Sequence, residues 1–380
     1  MCVAIQTLRN IWQVEMKIVH VVEAFGGGTL NAVVLLANQQ ARELHAVTVI
    51  HSTRPDTPDA YEILFDKRVS LVSLAIPQGL NPLKDWQASR TLRKALKLQA
   101  PDLIHLHSSK AGAVGRLAAV GLAVPIVYSP HGFSFNRQDV PEWKRRVFWG
   151  LEWALGRLPA HLMACSSDEA TAAAAFSPTT RIFNAVDVPA LVAEACHGRS
   201  AIQRRPAQPP LVIAMAGRIT AARNPEGFSE VARQVLATRK DVAFYWLGDG
   251  DRELLDPAIR VTGWLNKADL LASLRNIDIY FHPSRWDGLP FAVLEAMSQG
   301  LPVVASSVGG NKDAITSGRT GFLADTPDQQ VRALLALLGD AQLRATYGAA
   351  GQARVETYFC LAEYFQQVRS LYTTLCAKKV

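Results

Sequence analysis

Two arginines lie five positions apart in the segment GRITAARNP, where an apolar run ends and a helical pattern begins. The guanidinium groups of Arg218 and Arg223 can each bind two oxygens of a phosphate, and Gly217 would let that phosphate approach the backbone. Fixed cations and backbone amides of this kind can stabilise a departing diphosphate without a metal ion. The alternative is an arginine at a strand end followed by a solvated arginine at a helix start.

A second segment, SRWDGLPFAVLEAM, combines two acidic side chains with a helix start. Pro290 suits the first turn of a helix, so the amides of Gly288 and Leu289 are expected to point into a cleft, near a positive helix end that favours phosphate. Asp287 and Glu295 are separated by about two helical turns and can accept hydrogen bonds from sugar or ribose hydroxyls. The alternative is a capping aspartate and an exposed glutamate, although the apolar run after Glu295 disfavours exposure.

Two segments of the N-terminal half also follow predicted strands. His131 in SPHGF could hydrogen-bond a sugar hydroxyl, or it could be a structural histidine. Gly27 and Gly28 in GGGT resemble a phosphate-binding loop. The segment lacks the Lys and Ser/Thr of a P-loop, so a flexible turn between strand and helix is the alternative.

The sequence predicts no metal site and no metal or organic cofactor. Asp249-Gly250-Asp251 matches the Asp-x-Asp pair that binds manganese in another fold, but glycines flank Asp249 and favour a tight turn. His105, His107 and His282 are not expected to cluster at metal-ligand spacing. The five cysteines are scattered, which argues against a disulfide framework and fits a reducing cytoplasm.

Length and composition point to a folded protein of two domains. The 380 residues are 49% hydrophobic and 19% charged, which is typical of a globular chain. The net charge of +7 is shared almost evenly, +4 in residues 1–190 and +3 in the remainder, so nucleic acid is not an expected partner. Anionic substrates or an anionic membrane surface stay open. Residues 1–15 do not resemble a secretory signal, and no apolar run reaches the length of a membrane-spanning helix.

Short apolar runs alternate with helical patterns, which predicts two doubly wound parallel α/β sheets in series. The predicted strands are 17–22, 46–50, 102–106, 125–129, 161–164, 181–183, 211–216, 242–247, 277–281 and 302–305. The predicted helices are 29–43, 86–99, 112–119, 143–155, 225–236, 267–274, 290–299 and 327–338. We divide the chain into an extension (1–15), a first α/β domain (16–189), a linker rich in Pro and Arg (190–210), a second α/β domain (211–357) and a C-terminal helix (358–380).

Together these segments resemble glycosyltransferase family four, a retaining family with the GT-B fold. In that fold, two Rossmann-like domains face a central cleft. The resemblance implies that residues 16–189 form the acceptor-side domain and residues 211–357 the nucleotide-sugar-binding domain, and that the C-terminal helix (358–380) crosses back to the first domain. The segments SRWDGLPFAVLEAMSQGLPVVASSVGGNKDAI and GRITAARNPEGF are similar to its donor-site signature and diphosphate-binding loop. The segments VVEAFGGGTLNAV, LIHLHSSKAGAVGRLAA and YSPHGFSF are similar to the subgroup that builds bacterial surface polysaccharides.

The resemblance implies roles for the C-terminal residues. Arg218 corresponds to the family's diphosphate-binding arginine, and Arg223 stands where the family usually has lysine. Glu295 corresponds to the second glutamate of a Glu-x7-Glu pair, which binds the ribose. Asp287 replaces the first glutamate, beside the donor sugar, with a side chain one methylene shorter.

The resemblance also implies roles for residues in the loops around the donor. His131 matches the histidine at the donor sugar. Gly27 and Gly28 match the glycine-rich loop near the donor phosphate and the acceptor, and Gly309 belongs to a loop that closes on the nucleotide sugar. The family is thought to transfer on the front face of the sugar, with the leaving diphosphate helping to deprotonate the acceptor.

One predicted helix carries features of a membrane surface. The segment WKRRVFW continues to Trp153 and Arg157, and it mixes aromatic rings with cations at helical spacing. A second predicted helix carries four cations, Arg90, Arg93, Lys94 and Lys97. The alternative is a stripe of aromatic side chains that faces the core, opposite a solvated basic face.

The resulting hypothesis is a cytoplasmic hexosyltransferase, in peripheral contact with the anionic inner membrane. It would use a UDP- or GDP-sugar and a glycolipid or oligosaccharide acceptor in O-antigen or capsule synthesis. Two alternatives stay open: a nucleotide-sugar epimerase of the same fold, which Arg218, Glu295 and His131 disfavour, and a catalytically inactive scaffold, which Asp287 favours.

Overall fold

The structure is a computed structural model that describes residues 15–202 and 210–377. Most of the predicted N-terminal extension lies outside the described residues, as do residues 203–209 of the predicted linker and the last three residues of the chain.

The first half of the chain forms a sheet of seven parallel strands with helices on both faces. Its strands are β1 (Lys17–Val22), β2 (Ala46–His51), β3 (Ser70–Ser73), β4 (Leu103–His107), β5 (Ile126–Ser129), β6 (His161–Ala164) and β7 (Thr179–Arg181). Its helices are α1 (Gly27–Arg42), α2 (Pro82–Gln99), α3 (Ser109–Ala118), α4 (Glu142–Leu155) and α5 (Ser167–Ala173). The strand order is β3-β2-β1-β4-β5-β6-β7, so the order reverses between β1 and β4.

A sixth helix, α6 (Val188–Ala195), precedes the second sheet. The six parallel strands of that sheet are β8 (Leu211–Ala216), β9 (Val242–Leu247), β10 (Arg260–Val261), β11 (Ile279–His282), β12 (Val303–Ala305) and β13 (Gly321–Leu323). They lie in the order β10-β9-β8-β11-β12-β13. The helices are α7 (Pro225–Thr238), α8 (Lys267–Leu274), α9 (Phe291–Ser298), α10 (Asn311–Ala314), α11 (Pro327–Gly339), α12 (Ala341–Tyr358) and α13 (Leu361–Ala377).

The central strands are buried on both faces, which explains their continuous apolar sequences. In β1, five of the six residues are buried, and in β4 all five are buried. Ligands of doubly wound sheets bind beyond the carboxyl ends of the strands, near the point where the order reverses. In the first sheet that point lies beyond Val22 and His107, which are register partners.

Part of the predicted linker is helical. Residues 190–195 belong to α6, whose Leu191 and Ala195 are buried in the core of the second sheet. Pro189 occupies the first turn of α6, where its missing N–H costs nothing, and the side chain of Asp187 caps the helix at Ala190 N.

The C-terminal helix α13 packs on the first sheet. Its Tyr364, Val368 and Tyr372 are buried with Ile18 and Val127 of that sheet. The chain therefore crosses between the domains twice. The two crossings lie side by side, because the N–H of Val186 donates to the carbonyl of Phe359 at 2.9 Å.

Candidate functional site

The turn from β8 to α7 holds both predicted arginines. Gly217 has a φ of 133°, a conformation that favours glycine. A Cβ at this position would lie 3.6 Å from Nε of Arg223, so the absence of a side chain leaves the guanidinium room. Asn224 caps α7 by accepting from Gly227 N at 3.2 Å, which fixes the backbone directly after Arg223.

Arg223 forms an ion pair with Asp287, across the gap between the ends of β8 and β11. The same guanidinium lies 3.4 Å from Ser284 Oγ and 3.4 Å from His282 Nε2. Burial lowers the pKa of Arg223, and it lowers the pKa of His282 well below the usual range, so His282 is neutral beside the arginine. Arg223 thus provides the positive charge of this group and Asp287 the negative charge.

Two predicted amide donors are already engaged. Gly288 N donates to Oδ1 of its neighbour Asp287 at 3.0 Å, and the buried Leu289 donates its N–H to the thiol of Cys165. Since Asp287 itself lies in the site, the expectation that these amides bind a donor phosphate stays a prediction. Pro290 differs from its prediction, because it is the N-cap residue and α9 begins at Phe291.

The backbones of the two domains approach closely at Gly288. A Cβ there would lie 3.0 Å from Cys165 Sγ and 3.5 Å from Gly132 N. On its other side, the carbonyl of Gly288 accepts from Gly310 N, in the loop that contains Gly309. These loops pack against one another between the domains, with Asp287 on one side and the His131–Gly132 turn on the other.

His131 occupies a strained turn. Its φ is 53°, unusual for a residue with a side chain, and Gly132 follows with a φ of 97°. The turn is held by the buried carboxylate of Glu169, which accepts from Gly132 N at 2.7 Å and from Cys165 N at 2.6 Å. His131 Nε2 lies 3.0 Å from Nδ1 of the buried His107. Burial lowers the pKa of His131 to about 4, so the imidazole is neutral at physiological pH.

Arg218 faces the first domain. Its guanidinium lies 3.2 Å from the carboxylate of Asp56, which closes one side of a cleft of about 460 Å³. Arg54 and Arg137 also line the cleft. Arg54 is bound to the buried Glu23 at 2.5 Å. The cleft therefore carries three guanidinium groups between the domains.

The glycine-rich loop lies beside this cleft and beside the packed loops around Gly288. A Cβ at Gly26 would lie 2.6 Å from Oδ2 of Asp56, and one at Gly28 would lie 3.6 Å from the ring of Phe291. Gly27 has a φ of 51° and forms the first residue of α1. A side chain at Gly26 would displace Asp56 of the same domain, and one at Gly28 would contact Phe291 of the second domain.

Glu295 is only 4% exposed, as the apolar residues around it predict, and it forms an ion pair with Lys267. Lys267 is the first residue of α8. Sequence reasoning missed both Lys267 and Asp56, because no motif marks them and their partners lie 28 residues away or in the other domain.

The Asp249–Asp251 segment forms a turn in which Arg252 binds Asp249 at 2.7 Å.

The prediction that the histidines do not cluster is wrong for two of them. His105 and His107 meet His20, with ligand nitrogens of all three within 4.8 Å of one another. These nitrogens are already hydrogen-bonded, including His20 Nδ1 to His107 Nε2 at 2.9 Å and His105 Nε2 to Ser129 at 2.9 Å. The cluster is therefore a hydrogen-bond network, and a metal ion would have to replace some of these bonds.

Comparison with known proteins gives matches to both halves of the chain. Residues 27–183 match the glycosyl transferase 4-like domain and residues 210–340 match the glycosyl transferases group 1 family. A UDP-Gal:alpha-D-GlcNAc-diphosphoundecaprenol alpha-1,3-galactosyltransferase of Escherichia coli is 29% identical, over 66% of this chain and 69% of its own length. A GDP-mannose-dependent alpha-mannosyltransferase of Mycolicibacterium smegmatis is 28% identical, over 90% and 92%.

A solved structure shows the same fold over nearly the whole chain. Sucrose-phosphate synthase from Thermosynechococcus elongatus superposes with a TM-score of 0.78 at 19% identity, over 95% of this chain and 100% of that one. The fold is therefore GT-B, as the sequence predicts.

Proposed function

Since this chain is a glycosyltransferase of family four, we propose that it transfers a hexose from a UDP- or GDP-sugar to a lipid-linked or oligosaccharide acceptor in cell-surface polysaccharide synthesis. The observation that carries the proposal is the meeting of Arg218, Arg223, Asp287 and His131 at the ends of the strands between the two domains. A diphosphate needs cations and a sugar needs hydrogen-bonding groups, and this site offers both.

The donor diphosphate would bind between Arg218 and Arg223. Each guanidinium is paired with a carboxylate, Arg218 with Asp56 and Arg223 with Asp287. An incoming diphosphate would replace these carboxylates as the partner of the arginines, because it carries more negative charge. The two arginines can neutralise the charge that develops on the leaving group, and we propose that transfer needs no metal ion.

Glu295 would receive the ribose hydroxyls. Its carboxylate is buried and is positioned by Lys267, so its remaining lone pairs can accept two hydroxyl hydrogens without the cost of ordering the side chain.

The reaction would retain the configuration at the sugar. The bond from the anomeric carbon to the diphosphate oxygen breaks, and the acceptor oxygen bonds to that carbon on the same face. The acceptor's hydroxyl proton passes to the leaving diphosphate oxygen. Arg218 and Arg223 stabilise the charge on the leaving group while this occurs.

A surface of exposed aromatic and basic side chains on the first domain supports the proposal of a lipid-linked acceptor. Trp143, Trp149 and Trp153, the α4 tryptophans, are 61%, 46% and 46% exposed, so the alternative of a core-facing aromatic stripe is wrong. The buried residue of α4 is Glu152, which binds Arg116 at 2.6 Å and holds the helix on the domain. Exposed tryptophans with neighbouring cations fit the interface of an anionic bilayer. In the described part of the chain, the helices are too short or too polar to span a bilayer.

The relatives support the same classes of substrate. The E. coli relative is named for a UDP-linked donor and a lipid diphosphate acceptor, and the Mycolicibacterium relative for a GDP-linked donor. Both donor classes therefore stay in the proposal.

The test is a thermal-shift screen of UDP, GDP and their common sugar derivatives, followed by turnover with and without EDTA. A bound donor raises the melting temperature by mass action. Transfer or donor hydrolysis that persists in EDTA would support the proposal, and strict dependence on a divalent cation would refute its metal-free form. Nucleotide binding without any turnover would instead favour an inactive scaffold.

A further inference from the structure

A row of hydrogen-bonded side chains runs from the back of the first sheet to His131. Gln40 Oε1 lies 2.7 Å from His20 Nε2, His20 Nδ1 lies 2.9 Å from His107 Nε2, and His107 Nδ1 lies 3.0 Å from His131 Nε2. His20 and His107 are completely buried and Gln40 is nearly so. The four residues belong to α1, β1, β4 and the turn after β5.

The row has a defined direction. A glutamine amide has one end that accepts and one that donates, and the end that faces His20 is the carbonyl oxygen, Gln40 Oε1. A carbonyl can only accept, so His20 must donate from Nε2.

The protons of the other rings follow from this first step. A neutral imidazole has one N–H, so His20 Nδ1 is bare and must accept from His107 Nε2. His107 Nδ1 is then bare and accepts from His131 Nε2, which leaves His131 Nδ1 without a proton. Burial keeps these rings neutral, since it lowers the pKa of His20 and His131 to about 4 and that of His107 well below its usual range.

We propose that Gln40, His20 and His107 are positioning residues, which fix His131 in the tautomer that presents Nδ1 to the cleft as a hydrogen-bond acceptor. Among the residues that the structure describes, no side chain or amide bonds His131 Nδ1, and His131 is only partly buried, so a substrate can reach it. The ligand would be a hydroxyl group of the transferred sugar or of the acceptor. This identification of the ligand rests on the proposed function, but the tautomer does not.

The direct test is the nitrogen-15 spectrum of the imidazoles in histidine-labelled protein, with His131 assigned by the loss of its signals in His131→Gln. We expect His131 Nε2 to show the shift and coupling of an N–H, and Nδ1 the shift of a bare nitrogen. A protonated Nδ1 on His131 in the wild-type protein would overturn the proposal, whether or not the protein binds nucleotide sugars. Stoichiometric zinc that survives dialysis would also overturn it, because the histidine cluster would then be a metal site.

The variant test replaces Gln40 by leucine, which keeps the volume and removes the carbonyl that sets the direction. The control is Gln39→Leu on the same helix, where the amide bonds only Glu43 at 2.9 Å. We expect mixed tautomers of His131 in Gln40→Leu and an unchanged spectrum in the control.

A binding measurement separates positioning from general damage. In Gln40→Leu, affinity for the nucleotide sugar should fall about two- to tenfold, the range of one weakened hydrogen bond, while affinity for the nucleoside diphosphate alone stays the same. Equal losses for both ligands, or an unchanged tautomer in a folded variant, would contradict the assignment.

Discussion

Replacing Arg223 by glutamine should weaken the binding of a nucleoside diphosphate by more than one lost hydrogen bond. The Arg223 and Asp287 side chains are 25% and 15% exposed, so each is largely shielded from water. The variant loses a charge-assisted contact with the ligand, about 1.5–3 kcal/mol, and leaves Asp287 unpaired beside an incoming anion. The repulsion between the unpaired carboxylate and the diphosphate adds about 1 kcal/mol, because both groups stay partly in contact with water. We expect a loss of about 3 kcal/mol, or a Kd raised about 150-fold.

Two further variants separate the contribution of the Arg223 guanidinium from that of the unpaired Asp287 carboxylate. Arg223→Lys keeps the charge but loses the planar fork, and its Kd should stay within about tenfold of the wild type. Adding Asp287→Asn to Arg223→Gln removes the unpaired carboxylate and should recover about 1 kcal/mol, or about fivefold. The assay is isothermal titration calorimetry with UDP or GDP. The matched control is Arg239→Gln, whose partner Asp241 lies in an exposed pair away from the site.

Either of two results would refute this reasoning. In the first, Arg223→Gln binds the diphosphate within threefold of the wild type, so the guanidinium does not hold the ligand. In the second, the double variant binds no tighter than Arg223→Gln, so Asp287 does not repel the ligand when it is unpaired.

Three other measurements test the packing, the membrane surface and the buried histidines. Gly288→Ala places a Cβ 3.0 Å from Cys165 Sγ, and we expect it to lower the free energy of unfolding in urea by about 1–3 kcal/mol. The control Gly150→Ala adds a Cβ in open space on α4 and should be neutral or stabilising. Serine in place of Trp143, the most exposed of the α4 tryptophans, should reduce co-sedimentation with anionic liposomes without changing the melting temperature, and undiminished binding would count against the proposed membrane contact. The free energy of unfolding should fall as the pH drops from 6.5 to 4, because the unfolded chain gains a proton at His20 that the folded protein gains only near pH 4. The lowered pKa of His20 contributes up to about 3 kcal/mol to this loss of stability. The variant His20→Asn should depend less steeply on pH, and a free energy of unfolding that does not change with pH would contradict the prediction.

Long, continuous apolar runs made the central strands predictable from sequence. Strands β1, β6, β8 and β9 have the predicted bounds, since burial on both faces leaves a clear apolar signal, which ends at Gly217 after β8 and at Gly248 after β9. The short edge strands β3, β10 and β13 were not predicted, because two to four residues are too few for a periodic pattern.

The residues of the site were easier to predict than their partners. Arg218, Arg223, Asp287 and His131 stand in local motifs at strand ends, and the fold brings the ends of parallel strands to one edge. The ion pairs of Arg218 with Asp56 and of Glu295 with Lys267 depend on side chains from distant elements, which no local pattern reveals.

The contacts within the histidine row were predictable from the sequence. His105 and His107 alternate along one strand, so their side chains lie on the same face, and His20 stands on a neighbouring buried strand. Three histidines in buried strands need hydrogen-bond partners, and each other's rings are the nearest available.

The return of α13 to the first sheet has a consequence for synthesis on the ribosome. One face of that sheet, with Ile18 and Val127, lacks part of its apolar cover until Tyr364, Val368 and Tyr372 have been made, after the whole second sheet. Until then the nascent first domain exposes an apolar surface, and His105 lacks the phenol that bonds it at 2.6 Å. The first domain is therefore expected to complete its folding after translation of the second domain, and chaperones would meet it in that interval.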